Sequence, residues 1–127
     1  MRLLYFILIC FSLGVNGQTS EHSNIAAAKN AGEAREMAKS DIKGQSISLF
    51  VQGGFAPTVG KSDLPFENKY HLKIRDFGCT ALEYKIISAY NHEIFRHLTA
   101  QYGSEWITEI RKDVIGLREF KQKNQKL

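Results

Sequence analysis

Cys79 is the residue whose type and position offer most chemistry. It follows a predicted strand and immediately precedes Thr80, a predicted helix cap. Backbone N–H groups and the dipole at a helix start favour a thiolate, and can bring a cysteine pKa below its ordinary value of about 8.5. Asp76 lies just upstream, where its charge opposes that shift, or where it partners the thiol if both side chains point the same way. Arg111 and Asp113 would complete a polar pocket with Cys79 and Asp76 if the chain returned them to that end of the sheet. The competing reading makes Cys79 a small apolar side chain packed at a strand–helix joint. In that reading Glu109, Arg111, Lys112 and Asp113 form a solvated face of the last helix, paired at i, i+3 and i, i+4. No His/Asn pair stands at a known thiol-protease spacing, so nucleophilic catalysis is the lesser expectation.

Other motifs promise less. His92 and His97 flank Glu93 in a way that suggests a zinc-protease helix, but they stand five residues apart. At about 100° per residue they point some 140° apart, whereas two ligands sharing a helix face need i and i+4. Both are expected on solvated flanks of their helix, and His22 and His71 at the surface. Gly53-Gly54 follows a strand but lacks the Lys-Ser/Thr of a phosphate loop, so a tight turn is expected. No cofactor and no metal is implied.

The amino end bounds where these residues act. Arg2, the apolar run LLYFILICFSLGV and the small residue Gly17 make the three parts of a cleavable signal peptide over residues 1–17. The run is short for a bilayer core of about 30 Å, which makes an uncleaved anchor the lesser alternative. Cys10 lies too deep in the run, after Ile9, for lipid attachment. The protein is therefore expected to be exported, either periplasmic or secreted. Removing 17 of 127 residues leaves 110, enough for one domain over 18–127. Its core is expected over about 46–116, with a polar basic tail over 117–127. The formal charge of +4 falls to +3 with the loss of Arg2, and most of the excess lies beyond Arg111. A near-neutral body without a basic, aromatic stripe excludes a nucleic-acid interface. Loss of Cys10 leaves Cys79 alone, so neither an internal disulfide nor a cysteine metal site can form. A monomer is expected, with a homodimer linked through Cys79 as the alternative.

The elements that must position these residues follow from periodicity. Asn30 with Glu33 caps a helix whose stripe is Ala34, Met37, Ala38 and Ile42, and Gly44 ends it. Residues 47–51 (ISLFV) form a strand apolar on both faces. Asp63 caps a short helix with Pro65 in its first turn. Residues 71–77 alternate as a half-exposed strand. Thr80 with Glu83 caps a long helix with inward Leu82, Ile86, Ile87, Tyr90, Ile94, Phe95, Leu98 and Tyr102, closed by Gly103. Ser104 opens a last helix carrying Trp106, Ile107, Ile110 and Val114 inward, closed by Gly116. The order α-β-α-β-α-α predicts an α/β domain with a parallel sheet of two or three strands packed with helices.

One stretch is distinctive. Phe66-Glu67-Asn68-Lys69-Tyr70 resembles the signature of the FEKKY domain, an uncharacterised bacterial family, with Asn68 where the signature has its first Lys. The resemblance continues through Asp76-Phe77-Gly78-Cys79, Tyr90-Asn91, Tyr102-Gly103 with Trp106, and residues 110–116, and so covers roughly 47–116. It implies an exported bacterial domain and no catalytic or binding residues. The function expected is a non-catalytic binding or structural module. The alternative is a thiol-dependent enzyme or redox protein using Cys79.

Overall fold

The computed structural model describes residues 24–53, 58–77 and 83–125. Residues 1–17, expected to be a signal peptide, together with His22, Gly54, Cys79, Thr80 and Leu82, lie outside the described residues.

Asn30 accepts the Glu33 N–H at 3.0 Å and opens helix α1 (Ala31–Lys43). The Glu33 carboxylate closes the turn from the other side, accepting the Lys29 N–H at 2.9 Å. Ala34 and Ala38 are fully buried, and these small side chains let α1 approach its neighbour closely. The helix does not end as expected. Gly44 keeps a right-handed conformation, and Gln45 takes the left-handed one at φ 57°. Strand β1 (Ser48–Val51) is buried on both faces. A 3₁₀ turn (Lys61–Asp63) leads into α2 (Leu64–Tyr70), and His71, at φ 54°, caps it. Strand β2 (Lys73–Asp76) then pairs parallel to β1, with Ser48 opposite Lys73 and Val51 opposite Asp76. The alternation predicted for this strand holds, since Ile74 is buried and Lys73 exposed.

Helix α3 (Tyr84–Tyr102) is the backbone of the core. Ile86, Ile87, Tyr90, Ile94, Phe95 and Leu98 of the predicted stripe are buried, each contributing about 1.5–3 kcal/mol by leaving water. Phe95 stacks on Trp106 with centroids 5.3 Å apart, and Phe120 packs against both rings. Tyr90 packs edge-on against Phe50 and donates its hydroxyl to the buried Asp41 carboxylate at 2.6 Å, tying α3 to β1 and α1. Gly103 closes α3 at φ 74°, as expected of a residue without Cβ.

The expected last helix is mostly absent. α4 (Trp106–Glu109) is one turn long, and Ile110 is already extended at ψ 145°. Residues beyond it run along β1 instead, where Val114 forms an antiparallel bridge with Val51 and the Ile115 N–H donates to Phe50 O at 3.1 Å. Backbone bonding to a bare strand edge outweighs continuation of the helix. Gly116 lies at φ 82°, where a Cβ would come within 2.6 Å of Ser88 Oγ, so both handedness and space demand glycine. It opens α5 (Leu117–Asn124), which returns Leu117 and Phe120 to the core. Among the described residues no helix is long and apolar enough to cross a membrane.

A two-stranded sheet presents two bare edges, and side chains close both. On β1, Asn91 Oδ1 accepts the Phe50 N–H at 3.0 Å, while Asn91 Nδ2 donates to Phe50 O and Ile115 O, each at 2.9 Å. On β2, Glu67 Oε1 accepts the Ile74 N–H at 2.8 Å. Asn91→Ala would strand a buried N–H and a buried carbonyl. It is expected to lower stability by about 4 kcal/mol, read from the urea midpoint, against a few tenths for a surface substitution such as Lys112→Ala.

Candidate functional site

The carboxyl ends of parallel strands are where α/β proteins usually place their sites. Here those ends carry Val51 and Asp76, and two of the predicted residues arrive there from far along the chain. Because the chain after α4 runs along β1 rather than in a helix, Arg111 and Asp113 are carried to the sheet. Residues i and i+2 cannot face each other on a helix. Here Lys112 and Asp113 form a turn, and the two side chains pair: Arg111 Nε donates to Asp113 Oδ1 at 2.6 Å, and Nη2 to Oδ2 at 2.7 Å. Arg111 Nη1 donates to Thr58 O at 2.9 Å and to Asp63 Oδ2 at 3.0 Å. Thr58 in turn donates its hydroxyl to Asp76 Oδ2 at 2.6 Å. The structure therefore brings Asp76, Arg111 and Asp113 together, and adds Thr58 and Asp63, which the sequence reading assigned no chemistry. Cys79 lies outside the described residues.

The electrostatics of this group are those of a clamp. The hydrogen bond and charge of Arg111 hold the Asp113 carboxyl below the ordinary carboxylate range, against partial burial and the like charge of Asp76. Asp113 raises the Arg111 guanidinium in return. Asp63 caps the 3₁₀ turn through the Gly60 N–H as well as meeting Arg111, so one buried carboxylate ties two segments. Arg111 and Asp113 stay charged at neutral pH, and the guanidinium fork has four of its five N–H groups engaged. Glu109 does not join them; it pairs with Lys69 across the surface at 2.7 Å.

The histidines are divided. His92 is not on a solvated flank: its Nε2 lies 3.1 Å from Gly116 O and its ring packs near Phe95 and Phe120. His97 and His71 line a groove at the opposite, amino end of the strands. That groove, about 600 Å³, is walled by Ile42, Ile47, Tyr70 and Tyr102 and rimmed by Gln45, His71, His97 and Gln101. A hollow of about 480 Å³ continues it past Asn68 and the Glu67–Lys73 pair. Tyr70 is fully buried in its wall, packed edge-on to Tyr102; among the described residues its hydroxyl makes no hydrogen bond of ordinary geometry, and burial above all, with the nearby Glu109 carboxylate, raises its pKa. Sequence reasoning missed this groove because its residues come from three elements with no shared spacing. The one signal available was His71 directly after a helix stop. Among the described residues no three His, Cys, Asp or Glu side chains converge as metal ligands.

Comparison with protein families, with curated proteins and with solved structures returns no match.

Arg111→Ala would leave the Asp63 carboxylate, 8% exposed, without its cation, and is expected to lower stability by about 3 kcal/mol at pH 7. The Asp113 contribution has a definite sign. Its folded pKa is depressed, so the stability it supplies is complete above the unfolded value of about 4 and fades as pH falls through the folded value. The gap between wild type and Arg111→Ala, from urea midpoints, should therefore be smaller at pH 3 than at pH 7.

Proposed function

We propose that this chain is an exported, non-catalytic binding module of the FEKKY-like kind, and that it binds through the groove at the amino ends of β1 and β2. The observation that carries the reading is the Arg111 clamp. Where the topology gathers polar residues in the usual place for a site, they are bonded to one another, and the shifts on Arg111 and Asp113 hold them charged rather than poised to exchange protons. The open hydrogen-bonding capacity lies at the other end. The side chains of Gln45, His71, His97 and Gln101 line the groove without a hydrogen-bond partner among the described residues. A volume of this size suits a small-molecule site, which spans roughly 300–1,000 Å³.

Thiol chemistry at Cys79 is the second reading. It is favoured by the gathering of Asp76, Arg111 and Asp113 at the end of the strand that leads toward that cysteine.

Two measurements decide between them. Protein recovered after export of the full chain is expected to begin at Gln18, by intact mass. In that mature protein, modification of Cys79 by a thiol reagent should follow an apparent pKa of about 8.5 or higher, or wait for denaturation. Fast native reaction with a clearly lower apparent pKa would overturn the non-catalytic reading, and retention of residues 1–17 in the cell membrane would overturn the exported one.

A further inference from the structure

We infer that the groove at the amino ends of the strands is a site for a neutral saccharide; this rests on the binding-module reading above. Its chemistry is the first argument. Among the described residues no carboxylate, lysine or arginine lines the larger chamber, and in the adjoining hollow Glu67 and Lys73 neutralise each other at 3.4 Å. A phosphate, nucleotide or acidic ligand would find no fixed counter-charge there. What the site offers is carboxamides at Gln45, Gln101 and Asn68 and imidazoles at His71 and His97, beside an aromatic ring, Tyr102, that is 36% exposed. Carboxamides donate and accept at once, as do neutral imidazoles, and this matches vicinal hydroxyl groups. An aromatic surface over apolar walls matches the C–H face of a pyranose ring.

Backbone conformation gives the second argument. Among the described residues the two non-glycine residues at positive φ are Gln45 and His71, and both line the groove. Both follow a helix end, and Gly44 stands next to Gln45 in an ordinary right-handed conformation. The left-handed residue at each of these helix ends is thus one with a hydrogen-bonding side chain rather than glycine.

Closure of the sheet is the third. A peptide ligand would most simply add a strand, but Asn91 and the segment at Val114 occupy the β1 edge, and Glu67 takes the outward Ile74 N–H on β2. Discrete hydrogen-bonding groups around a short trough remain, and they suit a compact ligand.

The test uses the mature protein, 15N-labelled, titrated with maltotriose, cellotriose and chitotriose in turn. At least one is expected to shift the Gln45, His71, Gln101 and Tyr102 amides saturably, with an affinity unchanged between low and high salt. Tyr102→Ala should weaken that binding about tenfold and Gln101→Ala by a smaller factor, with thermal unfolding confirming that each variant folds. No response to the three sugars, with the same amides moved by inorganic phosphate or a short peptide, would overturn the saccharide assignment and keep the groove as a binding site. Silence toward all of these probes, or shifts confined to the Arg111 end, would overturn both.

Discussion

A pair of β-strands is marginal in water, and this fold rests on the carboxamide that makes the pair part of something larger. Asn91 stands where a third strand would. Its oxygen and nitrogen mimic one peptide unit toward Phe50, and the second amide proton reaches Ile115, so one side chain joins β1, α3 and the returning segment. The residue is completely buried, where each polar atom left without a partner is expensive. The rest follows from it. Because Asn91 positions residue 115 beside β1, the chain beyond α4 turns along that strand instead of continuing as a helix, and Arg111 and Asp113 arrive at the strand ends. The turn at Gly116 then aims α5 back over Phe95 and Trp106.

The two ends of the sheet have opposite characters. At the carboxyl end, charge is abundant and internally spent, fastening the loop at Thr58 and Asp63 to the segment at Arg111. At the amino end, formal charge is scarce and hydrogen-bonding groups are unspent. Bonded and open hydrogen-bonding groups are thus separated by the length of a strand. The FENKY stretch spans the amino end. Phe66 and Tyr70 enter the core, Glu67 caps the outer edge of β2, Lys69 pairs with Glu109, and Asn68 faces the hollow.

Much of this was legible in the sequence. Periods of two and of three to four residues located both strands and the two longer helices, α1 and α3, because burial of an apolar stripe is a local pattern with a global cause. The Asn30 cap was readable for the same reason, since capping is settled within four residues. The last third was not. Trp106, Ile107, Ile110 and Val114 fit a helical stripe as well as they fit a turn followed by a strand-like segment, and the choice is made by the β1 edge some sixty residues earlier. The basic end from Leu117 concealed a helix because its inward residues are just Leu117 and Phe120. At the site, Asp76, Arg111 and Asp113 were singled out from charge and converge. Asp63, expected merely to cap a helix, is also the buried anion of the clamp.

The Asn91 bridge also sets an order of events. β1 and β2 are complete by residue 76, yet the groups that seal the outer edge of β1 lie at 91 and at 114–115. A chain emerging amino end first therefore holds an unfinished sheet until its last quarter appears, and non-local pairing of this kind is slow to form. The seal on the outer edge of β1 thus waits for the final quarter of the chain.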